Sequence, residues 1–573
     1  MADALISASF LPDGSLTAAA PNGGIARVEM IEHTARFERR LWPVTDTVWC
    51  MVGNGLSNQT FVEGPGGLIV IDTGESVQEM SAALDAVREH TDAPVVAVVY
   101  SHFHYVGGTQ ALFDAGARAD IPIWSHAGVV SNRRRQGGEV GPISRSGLVH
   151  QFGMLLPSDG PDALVGCGIG RAFRNEEHAP FTEGFIPPTD TFEQPISATL
   201  AGLTIEMTPA PSDADDSITM WFPDLGLCVN NIVWPALFNV FAIRGEEYRD
   251  PRTLLSGLDH VISLGAEHLI GTHGPPIGGA DRIRTEVVRS RDAIQFMWDQ
   301  TVRGINRGMN HGELTAFVQL PDLYADSYLQ TQHYGLVEHH VRQIHTGLRG
   351  WFDGDAAQLF PVPPVERAQR LVKGFGGADR VRSEVDAAIA ADDMRWALEL
   401  ATWLDRIDEG NAADRGRLAT VLRTIAQRTT SANVRNWCLT RVLHLDGSLD
   451  ITRFRAHRFT RDQIATAEPA DLIHVLRVML DPTRSAGADR HLRVEFPDGS
   501  AGLHVRNCVA VPTDGAAADV VVTIDRATWG DVLNGRRTLA DVLDAGDATT
   551  TDRAGAIEVL SWFDLDEKPA APT

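Results

Sequence analysis

Cysteine is scarce in this sequence. Its five copies, Cys50, Cys167, Cys228, Cys438 and Cys508, are scattered without C-x-x-C spacing, which argues against a thiolate metal knot and a disulfide framework and suits a reducing compartment. Long apolar runs are missing too: no stretch approaches the ~20 residues of a helical membrane span. Positive charge is in deficit, with 50 Lys and Arg against 75 Asp and Glu and a net charge of −25. Such a field repels phosphate backbones, so no nucleic-acid partner is expected. The one basic run, Arg133-Arg134-Arg135, is short and reads as a solvated loop or an anion contact. The first twenty residues contain Asp3 and Asp13 and no basic cluster before a sustained apolar stretch. A secretory signal is therefore not expected, and a cytoplasmic location is.

What is present is a globular chain. At 573 residues it is too long for one core, so two to four domains are expected, and 43% hydrophobic against 22% charged residues excludes a mainly disordered chain. The first 285 residues alternate strands and helices. Apolar runs at Gly67 to Asp72 and Pro94 to Tyr100 flank a helical spacing from Val77 to His90. Further strands are expected at Leu203 to Met207 and Ser217 to Phe222. From Arg284 the pattern turns helical, with an amphipathic stretch to Met309, another from Tyr334 to Phe352, a connector Pro361-Val362-Pro363-Pro364, and helices to about Leu445. The last hundred residues return to strands at His491 to Phe496 and Asp519 to Ile524, then helices at Thr528 to Leu533 and Ala554 to Phe563. This last part reads as a small α+β domain without a cluster of ionisable groups.

Chemistry concentrates at Ser101-His102-Phe103-His104-Tyr105-Val106-Gly107-Gly108, directly after the strand ending at Tyr100. On an extended chain residues i and i+2 share a side, so His102 and His104 can grip one ion while Phe103 points into packing. Strand ends are where α/β folds place their sites.

Together with Asp72, this segment resembles the metallo-β-lactamase fold. Leu56 to Phe61, Ile186 to Asp190, Arg244-Gly245, Gly350 to Gly354 and Pro363 to Glu366 resemble, in order, segments of the type III alkylsulfatases. The resemblance implies a metallo-β-lactamase αββα sandwich over residues 1–283, a helical dimerisation domain over 284–455, and a sterol-carrier-like α+β domain over 465–573. It also implies a departure. The family carries His-x-His-x-Asp-His and two zinc ions, whereas here Gly107-Gly108 arrives two residues early and the Asp-His pair is deleted. The family's Glu ligand falls on Asp213, its bridging Glu on Asn231, and its last His on His273. The implied set is His102, His104, Asp213 and His273, holding one divalent metal per chain, zinc or iron, with no nucleotide. Without a bridging carboxylate, two close cations would repel. Asp215 and Asp216 are spares, read as a solvated turn or a second layer.

Asn239, Arg244, Tyr334 and His339 match positions that line the family's sulfate pocket, and a guanidinium suits an oxyanion through two parallel hydrogen bonds. A structural salt bridge is the alternative for Arg244. Val233 to Phe238 replaces a histidine-bearing stretch by an apolar wall, so the catalytic acid is unassigned. Three functions stay open. The first is a metal-dependent hydrolase of an organic sulfate ester. The second is a mononuclear non-haem iron enzyme with two His and one carboxylate. The third is a degenerate binding protein. The expected partners are a small organic substrate, a sulfate ester with an apolar chain, and a second copy of the chain. The dimer is expected through residues 284–352, where Phe296, Met297 and Trp298 offer apolar surface. The C-terminal domain is expected to add apolar surface at the substrate entrance.

Overall fold

The computed structural model describes residues 14–565, apart from the side chains of Gln136, Arg453 and Asp462. Asp3, Asp13 and the ends of the first and last expected domains lie outside the described residues. No helix among the described residues is long and apolar enough to cross a membrane.

The chain separates into two compact units, residues 1–130 with 147–449, and residues 131–146 with 450–573. In the first, seven strands form one sheet in chain order: β1 (Arg40–Thr45), β2 (Val48–Val52), β3 (Gln59–Gly64), β4 (Gly67–Ile71), β5 (Val95–Val99), β6 (Ile123–His126) and β7 (Asp190–Phe192). β1 to β4 are antiparallel, and β4 to β7 run parallel. A second sheet holds β8 (Ile196–Leu200), β9 (Leu203–Pro209), β10 (Ile218–Phe222), β11 (Leu227–Asn230), β12 (His268–Gly271) and β13 (Ile277–Gly278).

Side-chain alternation explains the layering. In β4, Ile69 and Ile71 meet Ile205, Met207, Ile218 and Met220 of the other sheet, while Leu68 and Val70 meet Met80, Leu84 and Val87 of helix α1 (Val77–Arg88). Both faces of the strand are buried, as its unbroken apolar run requires. The far face of the second sheet packs Cys228 and Leu269 on helix α2 (Pro251–Leu264) and helix α3 (Ala280–Ile305). The result is an αββα sandwich.

α3 replaces the expected Arg284–Met309 helix with an earlier start. Its Met297 is buried, and Phe296 and Trp298 pack against the same core. Of these three residues, expected at a dimer face, Met297 is buried within the chain, while Phe296 and Trp298 stay partly exposed. Apolar exposure lies instead beyond helix α4 (Val337–Arg349), where Trp351 is 63% and Phe360 93% exposed. Five further helices follow in this unit: α5 (Pro364–Gly374), α6 (Ala378–Ala390), α7 (Met394–Ile407), α8 (Ala412–Arg428) and α9 (Ala432–Leu445). They are tied to the sandwich by polar contacts. The fully buried Arg435 donates to the carbonyls of Ile25 and Ala163 at 3.1 and 2.9 Å. His33 donates to Gly168 O at 2.8 Å and stacks at 4.3 Å on His333, whose Nδ1 donates to Thr430 O.

The second unit is a five-stranded sheet with helices over one face. Its strands are β14 (Asp489–Phe496), β15 (Gly499–Arg506), β16 (Val509–Thr513), β17 (Val520–Ile524) and β18 (Ala548–Thr550), in the order β16-β15-β14-β17-β18. Leu492, Val494, Trp529 and Phe563 fill its core. The segment 131–146 joins it through Arg145, which donates to Ala456 O at 2.9 Å, and through Arg134, which pairs with Glu468 at 3.2 Å. The basic run is therefore part of helix Val129–Gly137, and Arg134 serves an ion pair rather than a solvated loop.

Burial pushes His33 down to about 3, with the His333 and Arg36 charges adding to it, and burial pushes His333 down to about 4. A folded pKa below the unfolded 6.5 means that the unfolded chain takes up protons first on acidification. Stability from this pair should be complete above pH 6.5 and fall towards pH 4, by up to about 1.4 kcal/mol per pH unit for each ring. Denaturant unfolding of the His33→Gln variant should show a shallower loss over that window than the parent chain; an identical slope would contradict the assignment.

Candidate metal centre

β5 ends at Val99, and His102 is fully extended at φ −173° and ψ −178°. Phe103 to Tyr105 then make one 3-10 turn. The strand alternation expected for His102 and His104 is therefore corrected: the turn, not the pleat, returns His104 to the side of His102. His102 Nε2 lies 3.0 Å from His104 Nδ1. Phe103 packs into the core under α1, as expected. Asp213, on the loop after β9, sets Oδ2 3.1 Å from His104 Nδ1 and 3.8 Å from His102 Nε2. Ligand atoms around a tetrahedral ion with bonds of about 2.0–2.1 Å stand about 3.3 Å apart. The triplet fits a divalent ion.

Its orientation is fixed from behind. Asp72, at the end of β4, adopts φ +57°, a left-handed conformation that only a few non-glycine residues accept. Its Oδ1 accepts the Ser101 N–H at 2.7 Å, and its Oδ2 the Ser101 hydroxyl at 2.6 Å. Having donated its single proton, Ser101 Oγ accepts from His102 Nδ1 at 2.8 Å. The proton of His102 is thereby held on Nδ1, and the Nε2 lone pair faces Asp213 and His104. Burial pushes Asp72 up to about 7 against these hydrogen bonds, and burial drives His102 down to about 3, leaving a neutral ring. Burial would raise Asp213, but His102, His104 and Arg249 hold it well below the usual carboxylate range.

Asn231 has a definite task. Its Nδ2 donates to Asp213 Oδ1 at 2.6 Å, and its Oδ1 faces the Trp234 indole N–H at 3.3 Å. A carboxylate at this position would supply no donor and would place like charges in contact. His273 does not join the triplet. Its Nδ1 donates to Leu56 O at 3.0 Å, and its Nε2 meets the Tyr105 hydroxyl at 3.4 Å. Burial lowers His273 to about 4 and raises Tyr105 well above its ordinary value, so a neutral ring faces a protonated phenol. Immediately beyond, Gly107 N donates to Gly74 O at 2.9 Å, and a Cβ on Gly108 would come within 2.1 Å of Thr73 O. This loop is thus clamped onto the turn after β4. Asp215 is exposed and Asp216 buried, and neither joins the triplet.

The chain matches the metallo-beta-lactamase superfamily over residues 52–224, alkyl sulfatase dimerisation over 310–447 and alkyl sulfatase C-terminal over 458–568. It is 32% identical over 532 residues to a linear primary-alkylsulfatase of Pseudomonas sp. (strain ATCC 19151), covering 89% of this chain and 99% of that one. It belongs to the alkylsulfatase family. An alkyl/aryl-sulfatase of Saccharomyces cerevisiae is 26% identical over 540 residues, 91% of this chain and 82% of that protein. The structure of a stereoselective inverting sec-alkylsulfatase from Pseudomonas sp. superposes with a TM-score of 0.84 at 24% identity, over 96% of this chain and 88% of that one, and shows the shared fold.

Within this alkylsulfatase fold the other sequence-derived residues are variously placed. The Arg244 side chain is 8% exposed, and its Nε donates to Glu246 Oε1 at 2.6 Å. Burial opposes the charge of Arg244, but Glu246, Tyr334 and Asp213 raise its pKa above the ordinary value. The Tyr334 hydroxyl accepts from Gln151 Nε2 at 2.9 Å, and its ring stands edge-on to Trp234. Asn239 Oδ1 accepts from Arg249 Nη1 at 2.6 Å, while its buried Nδ2 has no hydrogen-bond partner. His339 stacks edge-on to Phe241 among Glu338, Arg342 and Arg395. It is the next residue, His340, that borders Asn239 across Gly335, with an unpartnered Nε2. Ser101, Tyr105, Glu246, Arg249 and His340 were not singled out from the sequence. Only Glu246 and Arg249 had a signal there, as charges close to Arg244.

Ser101→Ala removes the group that orients His102 without touching the triplet. Equilibrium dialysis with zinc should show affinity falling about 10- to 100-fold with the fold retained. Unchanged affinity would show that Ser101 does not orient the ring.

Proposed function

We propose that the chain hydrolyses sulfate esters of apolar alcohols at a single-metal site held by His102, His104 and Asp213, with His273 joining as fourth ligand only once its Nε2 leaves the Tyr105 hydroxyl. The observation that carries this reading is the buried triplet in electrostatic contact with Arg244 and Arg249, on a chain of the alkylsulfatase family. A divalent ion bound there would supply Lewis acidity toward a sulfate oxygen and acidify a bound water. Arg244 and the free Nδ2 of Asn239 would hold the remaining sulfate oxygens. Trp234, Leu237 and Phe238, all buried, would face the alcohol portion and exclude bulk water. The internal Glu246 must be displaced from Arg244 for the anion to bind.

Two imidazoles and a carboxylate also suit iron(II), which keeps a redox reaction as the second reading; dependence of turnover on oxygen separates the two. The reading includes a homodimer formed through the helical region, supported by the dimerisation match and by the exposed Trp351 and Phe360. It includes the division at 1–283, 284–455 and 465–573, supported by three successive family matches of which the last begins at 458. A cytoplasmic setting suits the free thiols, four of them buried and Cys508 exposed.

Incubation with a primary alkyl sulfate should release inorganic sulfate and alcohol in equal amounts, and chelation or His104→Ala should abolish the release. Absence of sulfate release from metal-loaded protein would contradict the proposal. Glu246→Gln should lower KM about tenfold, equivalent to ~1.4 kcal/mol, by freeing Arg244; a raised KM would mean that Glu246 supports the site instead.

A further inference from the structure

The C-terminal sheet places three ligand-type side chains together that look unrelated in sequence. β14 and β15 pair in unbroken antiparallel register from Asp489↔Arg506 to Phe496↔Gly499, which sets His491 directly opposite His504. Directly opposed residues in such a pair project to the same face with Cβ atoms about 5 Å apart. The two imidazole rings stack at 3.7 Å between centroids and 20° between planes. Asp489, two residues before His491, shares their face, and its Oδ1 lies 2.6 Å from His504 Nε2. One ligand atom from each residue falls within 4.8 Å of the others. The face is the solvent side, because the alternate residues Leu492, Val494 and Phe496 are buried in the core. This corrects the expectation that the C-terminal domain carries no cluster of ionisable groups.

We propose that Asp489, His491 and His504 form a second metal site, on a different compact unit from the His102 centre, for a borderline divalent ion such as zinc, copper(II) or nickel(II). Two imidazoles and one carboxylate select such ions over calcium or magnesium, which require an oxygen shell. The continuous register fixes both strands before any ion arrives, so little ordering is required on binding. The surrounding charges are mixed. Arg506, opposite Asp489, opposes a cation, whereas Asp519, whose Oδ1 accepts the backbone N–H of His491 at 2.8 Å, favours one. Water would complete the coordination on the open side. Both rings must be neutral to ligate, so uptake weakens in acid.

Zinc titration of the full-length chain by calorimetry tests this. His491→Ala and His504→Ala should each bind one equivalent less than the parent chain, with unchanged circular dichroism. Asp489→Asn, which keeps the shape, should keep the count but weaken that equivalent about tenfold. The same one-equivalent loss should appear when His504→Ala is combined with His104→Ala, so the result does not depend on the buried centre. Equal zinc uptake by the parent, His491→Ala and His504→Ala chains would overturn the proposal.

Discussion

A carboxylate buried against two imidazoles is the interaction on which the rest of the site depends. Left alone, the Asp213 charge would cost several kcal/mol in desolvation. It is met from every side: by Asn231 at 2.6 Å, by the two imidazoles at 3.1 and 3.8 Å, and by the nearby Arg249 guanidinium. The imidazoles face it only because of what stands behind them. The strained Asp72 fixes Ser101, Ser101 fixes the proton of His102, and the turn at Phe103–Tyr105 delivers His104. Each of these groups sits at the end of a strand whose two faces are buried, so the scaffold positions the site to within the play of a packed core.

The same constraint bears on how many ions can sit there. The clamp of Gly107 and Gly108 on the turn after β4 leaves this loop no room to shift. Asn231 donates where a second ion would need a charge, and the Nε2 of His273 is engaged by Tyr105. These features underlie the proposal of a single cation balanced by a single carboxylate. The Arg244–Glu246 pair follows the same logic, a guanidinium with little exposure kept neutralised by a carboxylate within the chain.

Much of this was legible in the sequence. Unbroken apolar runs gave the buried strands, helical spacing gave α1 and α3, and the strand-end position of His102 pointed to the centre. What was hidden depends on geometry that spacing does not encode. The 3-10 turn after His102 departs from strand alternation. The role of Ser101 follows from the left-handed backbone of Asp72, which no residue type announces. Met297 looked like part of a docking surface with Phe296 and Trp298, because helical periodicity does not say whether the covering surface belongs to the same chain. The pairing of His491 with His504 spans thirteen residues and appears only once the hairpin register is known.

The measurement that bears most directly on the buried centre is reconstitution of metal-free protein. It is best made in the His491→Ala/His504→Ala background, where the C-terminal ligands are gone. Zinc added stepwise should raise the rate of sulfate release from a primary alkyl sulfate linearly and saturate at one equivalent per chain. A rate that stays low until a second equivalent is bound would contradict a one-metal centre built on His102, His104 and Asp213.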